Sequence, residues 1–96
     1  MYIIMDIFAQ IAEKIIKEQE DIVGPVALEQ ARKVQGLRLD WDKHEVMIEG
    51  DKKTILENLV KQYEYLFGRA SVEVCKDAVK NLLPKIPQYQ RQQMLQ

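Results

Sequence analysis

The segment IVGPVALEQARKV at residues 22–34 returns 44 residues later as LFGRASVEVCKDA at residues 66–78. Laid over each other without a gap, residues 11–33 and 55–77 are identical at six of 23 positions. The identities are Ile11/Ile55, Glu13/Glu57, Lys17/Lys61, Glu20/Glu64, Gly24/Gly68 and Glu29/Glu73. Core-type chemistry is kept at Ile15/Leu59, Ile16/Val60, Ile22/Leu66, Val23/Phe67, Ala27/Ser71, Leu28/Val72 and Ala31/Cys75. Two amphipathic helices agree in apolar pattern through period alone, so the weight falls on the glycine and the charged identities.

Each copy reads as a helix, a glycine corner and a second helix. From Asp6, a natural N-cap, apolar residues fall at Ile7, Phe8, Ile11, Ile15, Ile16, Ile22 and Val23, with Ala12 on the same face. Gly24 stops this helix, and Pro25 suits the first turn of the next, which the pattern carries to Val34 or Gln35 ahead of Gly36. In the second copy Asp51 is the N-cap, Ile55, Leu56, Leu59, Val60, Tyr63, Leu66 and Phe67 form the stripe, and Gly68 is the corner. The last helix runs from Arg69 to Leu83, where Pro84 ends it.

The repeated charges have a place in this scheme. Glu13 with Lys17, and Glu57 with Lys61, are i,i+4 pairs; Glu29 with Arg32, and Glu73 with Lys76, are i,i+3 pairs. The small residues Ala27 and Ala31, and Ser71 and Cys75, lie four apart on one face of the second helix of each copy. Such faces permit close helix–helix approach, and the second helices of the two copies are expected to cross there.

Between the copies the period changes to two. Leu37, Leu39 and Trp41 alternate with polar residues, as do Val46 and Ile48, which predicts two short strands around a turn at residues 42–44. The expected fold is therefore mainly α (α+β): helical hairpins over 6–35 and 51–83, pseudo-repeated and joined by a β-hairpin over 37–49, in one domain spanning 5–83. Residues 84–96, with two prolines and many glutamines, read as a flexible C-terminal tail. A lone two-stranded hairpin is marginal in water, so this one must pack on the helices or pair with a second copy.

Composition narrows the function. Net charge is −1 with both signs interspersed, so the long-range positive field of most nucleic-acid binders is missing. The single cysteine, Cys75, forms no intrachain disulfide, and no Cys/His set for structural zinc is present, which fits a reducing cytoplasm. The N-terminus is apolar but lacks the basic start and small-residue cleavage site of a signal peptide. No apolar run reaches the length of a membrane helix.

Candidate chemistry is sparse. The rhythm of LFGRASVEV resembles a DNA-reading helix-turn-helix, with Arg69, Ser71 and Lys76 towards DNA, although Glu73 and Asp77 would oppose phosphates. Asp40, Asp42 and His44 alternate as in a metal loop, but an EF-hand starting at Asp40 would need glycine where Glu45 stands and glutamate where Asp51 stands. His44 is the only histidine, and Cys75 reads as an apolar filler whose counterpart is Ala31. Trp41, Tyr63, Tyr65 and Phe67 are candidates for lining a pocket between helices and hairpin. Tyr65 falls off the apolar stripe, which makes it, with Trp41, the candidate partner surface.

The expectation is a non-enzymatic regulatory or adaptor module that binds another protein and forms a homodimer, without cofactor or metal. The alternatives are a small-molecule sensor with its pocket between helices and hairpin, and a DNA-binding regulator.

Overall fold

The computed structural model describes residues 6–82. Four helices and a two-stranded antiparallel sheet follow in the order α1 (Ile7–Val23), α2 (Val26–Arg32), β1 (Leu37–Asp40), a 3-10 turn (Trp41–Lys43), β2 (Glu45–Ile48), α3 (Lys52–Phe67) and α4 (Arg69–Leu82). The mainly helical α+β class is as expected. The tail at 84–96, Met5 and Leu83 lie outside the described residues.

Helix α1 is the centre of the molecule. Its start is fixed by Asp6, whose Oδ1 accepts the Ala9 amide at 2.9 Å. Ile7, Ala9, Ile11, Ala12, Ile15, Ile16 and even Gln19 are buried, because α1 is packed by α2, α3, α4 and β2. A helix covered on that many sides needs a broad apolar face, and the alanines let neighbours approach closely.

The two glycine corners have the same geometry. Gly24 ends α1 at φ 79°, ψ −159°, its amide donating to the Glu20 carbonyl at 2.8 Å. Gly68 ends α3 at φ 81°, ψ −172°, its amide donating to the Glu64 carbonyl at 2.9 Å. Positive φ with extended ψ is glycine territory, and a side chain at either position would meet no neighbour, so backbone conformation alone selects the residue. Beyond each corner the chain turns the same way: Ala27 N–H donates to Gly24 O at 3.0 Å and Ser71 N–H to Gly68 O at 3.1 Å.

Pairing of the helices differs from expectation. Helices α2 and α4 do not pack closely on one another; the dominant packing joins α1 to α4 and α3 to α4, with α2 against α1 and α3. The small residues face the first helix of the other hairpin. Gln19 Nε2 donates to the Ser71 carbonyl at 3.0 Å and approaches Cys75 Sγ at 3.5 Å. Tyr63 OH donates to the Ala27 carbonyl at 2.8 Å. The physical reason is length: α2 has 7 residues and is too short to reach across both longer helices. It also ends at Arg32 rather than at Val34 or Gln35, with Pro25 as its N-cap.

Those two bonds place both corners at one end of the bundle. The N-termini of α1 and α3 meet at the other end, where Lys52 Nζ binds Asp6 Oδ2 and lies 6.0 Å from the Phe8 ring centroid. Helices α1 and α3 therefore run parallel. Partial burial raises the Asp6 carboxyl, but the Lys52 ammonium and the Ala9 and Phe8 amides outweigh it and hold it below its ordinary value of 3.8. A depressed carboxyl stabilises the fold above the unfolded-state value, and the contribution is lost as pH falls through the folded-state value. Asp6→Asn keeps the cap acceptor and removes the charge. Urea melts of wild type and Asp6→Asn should differ by a constant amount near neutrality and converge below the ordinary carboxylate range.

The hairpin packs in register Leu37↔Ile48, Arg38↔Met47, Leu39↔Val46 and Asp40↔Glu45. Leu37 and Val46 are buried, and Leu39 and Ile48 are half-buried on the same face. Trp41 leaves the strand and opens the 3-10 turn, which His44 closes in the left-handed region at φ 51°. The alternation of Leu37, Leu39 and Trp41 therefore overruns the strand by one residue. Tryptophan is drawn off that register by the bond its indole makes to α1.

Candidate functional site

The hairpin tip is clasped by two glutamates of α1. Trp41 Nε1 donates to both carboxylate oxygens of Glu20 at 3.2 Å, and His44 Nδ1 lies 3.2 Å from Glu13 Oε1. The two rings tilt together with centroids 4.4 Å apart. Glu13 thus meets His44 rather than Lys17, and the i,i+4 pair on α1 is Lys14–Glu18 at 3.0 Å. Trp41 is half-buried and held, so it offers less open surface than its sequence position implied. Glu73–Lys76 forms at 3.6 Å, the i,i+3 pair read from sequence.

The interior holds Tyr63 and Cys75. Tyr63 has no exposed surface, stacks on Phe67 at 6.2 Å between centroids and binds α2 through its hydroxyl. Burial first, then the nearby Cys75 and Glu20, push its hydroxyl well above the ordinary 10.0. Burial likewise raises the Cys75 thiol, against the opposing Gln19 contact, and favours the neutral form over the nucleophilic thiolate. The four aromatic candidates do not converge on one pocket: Tyr63 is core, Tyr65 is outside, and Trp41 is on the hairpin. Ser71, one of the three residues assigned to a DNA-reading face, is buried against α1. Among the described residues no group of three His, Cys, Asp or Glu is placed to hold a metal ion.

At the corner end, three large apolar side chains stand in solvent. Tyr65 is 84% exposed, Ile22 63% and Leu66 43%. The apolar pattern assigned Ile22 and Leu66 to the core; they overrun the bundle because each follows the last buried turn of its helix. The sequence held one signal for them, since they occupy matched positions two residues before the two corner glycines.

At the opposite end an apolar groove opens between α1, α3 and α4. A volume of about 380 Å³ is floored by Phe8, Ile11, Ile15, Leu56, Val60 and Val79, with Lys53, Glu57 and Lys61 at its edge. Val60 and Val79 also line a neighbouring depression of about 330 Å³, bounded by Val72, Cys75, Lys76 and Lys80. Sequence reading missed this groove. Its trace was Lys53, Glu57 and Lys61 at i,i+4 spacing beside Leu56 and Val60, a charged row bordering an apolar one.

Among the described residues no helix is long and apolar enough to cross a membrane. No protein-family model, curated protein or solved structure matches the chain.

Proposed function

We propose that this chain is a small, non-enzymatic, cytoplasmic adaptor or regulatory module that acts through protein–protein contact and pairs with a second copy of itself at the corner end. The observation that carries this reading is the group of Ile22, Tyr65 and Leu66, three large side chains left in solvent at one end of a small domain. Large apolar side chains left exposed at one end of a domain suit an interaction site, and tyrosine is a favoured interface anchor.

We also read the two helical hairpins as one unit used twice. Support comes from hydrogen bonds that repeat at a spacing of 44 at both ends: Gln19 to Ser71 with Tyr63 to Ala27, and Gly24 to Glu20 with Gly68 to Glu64. On this reading Ile22 and Leu66 are equivalents, and the corner end is itself close to twofold symmetric. Such a surface suits an isologous contact, in which a patch faces its own copy.

The test is a concentration series of amide spectra on isotope-labelled chain. The signals of Ile22, Tyr65 and Leu66 should move with concentration while Leu56 and Val60 hold still, and Tyr65→Lys should abolish the movement. Concentration-independent spectra would refute the reading.

A small-molecule sensor is the second reading, favoured by the groove volume of about 380 Å³, which falls within the range of ligand pockets. Its signature is a rise in melting temperature with one class of metabolite.

A further inference from the structure

The hairpin covers one side of α1, and the matched side of α3 has no such cover among the described residues. Glu13, Ile16 and Glu20 share a face of α1 by helical phase, and the two glutamates hold His44 and Trp41 of the hairpin. Ile16 is fully buried there. Forty-four residues on, Glu57 and Val60 stand at the edge and floor of the open groove. Leu56, the counterpart of the fully buried Ala12, is half-buried. Among the described residues, an apolar face that is capped on α1 is open on α3.

The rim indicates what caps it. The two depressions that meet at Val60 and Val79 carry Lys53, Lys61, Lys76 and Lys80 against one carboxylate, Glu57. Lys76 reaches Glu73; Lys53, Lys61 and Lys80 form no ion pair among the described residues. In a chain of net charge −1 this is a local concentration of positive charge around an apolar floor. The lining residues run from Lys53 to Lys61 on α3 and from Val72 to Lys80 on α4, about 12 Å along each helix axis. That length accepts two to three turns of a helix laid in the groove, with anchors at i, i+3 or i+4, and i+7.

We infer that the α1–α3–α4 groove docks an amphipathic helix of a partner protein, apolar on the face it buries and acidic along its flanks. Apolar contact supplies the bulk of the affinity, and the lysines select the acidic flanks and steer the encounter. The inference rests on the chain's being a protein-binding module, but it concerns the α1–α3–α4 groove and none of the three corner residues assigned to self-association.

Two labelled synthetic helices of about 14 residues, sharing one leucine face and flanked by either glutamate or lysine, test this by fluorescence anisotropy with the full chain. The glutamate peptide should bind at least about tenfold more tightly at low salt, a preference that shrinks as salt rises. The double variant K53E/K61E, altered at one half-buried and one exposed position of the rim, should reverse the preference, with far-UV circular dichroism confirming the fold. Equal affinities, a preference unmoved by K53E/K61E, or no binding of either peptide would overturn the groove assignment. Solution mass recorded on the same samples separates the two ideas: dimers without peptide selectivity sink only the groove, and selective monomers sink only the self-association.

Discussion

Tyr63→Ala should destabilise the fold by about 3–5 kcal/mol, the range for removing a large aromatic from a packed core. Tyr63 is completely buried, stacks on Phe67 and ties α3 to the Ala27 carbonyl of α2, so truncation opens a cavity and severs a link between the two hairpins. Tyr63→Phe separates these contributions. It keeps the ring and removes one hydrogen bond, and should cost about 0.5–1.5 kcal/mol. The same pair carries a pH signature. A hydroxyl raised by burial stabilises the folded state fully below the unfolded-state value, and that contribution fades as pH rises past 10.0. Wild type should therefore lose stability on the alkaline side, and Tyr63→Phe should lack that component. Urea melts across the pH range read both effects; a Tyr63→Ala variant as stable as wild type would contradict the packing.

The second large effect concerns the corners. Gly24→Ala and Gly68→Ala should each cost about 1–3 kcal/mol, by similar amounts. The sign is informative, because a glycine-to-alanine change in ordinary backbone stabilises by about 0.4–1 kcal/mol through the unfolded chain. At φ 79° and φ 81° the added side chain clashes with its own backbone and with nothing else. Thermal melts of the two variants should fall together. A corner that tolerates alanine while its counterpart does not would break the equivalence of the two hairpins.

These corners were the most legible feature of the sequence. A glycine at the same place in two apolar helical runs demanded a backbone conformation that other residues avoid, and both glycines adopt it. The cap at Asp6 and the two strands were legible for similar reasons, since local chemistry decides them. What sequence could not supply was which helix each small face meets. Ala27 and Ala31 announce that something packs closely, and only the lengths of α2 and α4 decide that their partners are α3 and α1. Gln19 was hidden because a polar residue reads as surface; its burial depends on the Ser71 carbonyl, 52 residues away. Trp41 was misplaced because its indole answers to Glu20 rather than to strand alternation. The groove was invisible for a further reason: it exists because no element among the described residues covers Leu56 and Val60.

The charged identities of the repeat acquire a meaning that periodicity did not give them. Glu13 and Glu20 hold the hairpin tip, and Glu57 and Glu64 are their counterparts on α3. Helix α1 clasps a segment of its own chain; we assign to α3 a segment of another protein. Of the exposed corner residues, Ile22 and Leu66 are likewise 44 positions apart, whereas Tyr65 stands opposite Asp21. Among the described residues two apolar surfaces thus stand open, the corner residues and the α1–α3–α4 groove.

Solution mass, by multi-angle light scattering at high micromolar concentration, tests the self-association at the centre of the proposed function most directly. Wild type should have twice the chain's 11.3 kDa and Tyr65→Lys the single-chain mass, with both folded. A wild type that stays at 11.3 kDa, or a Tyr65→Lys variant that remains a dimer, would contradict that self-association.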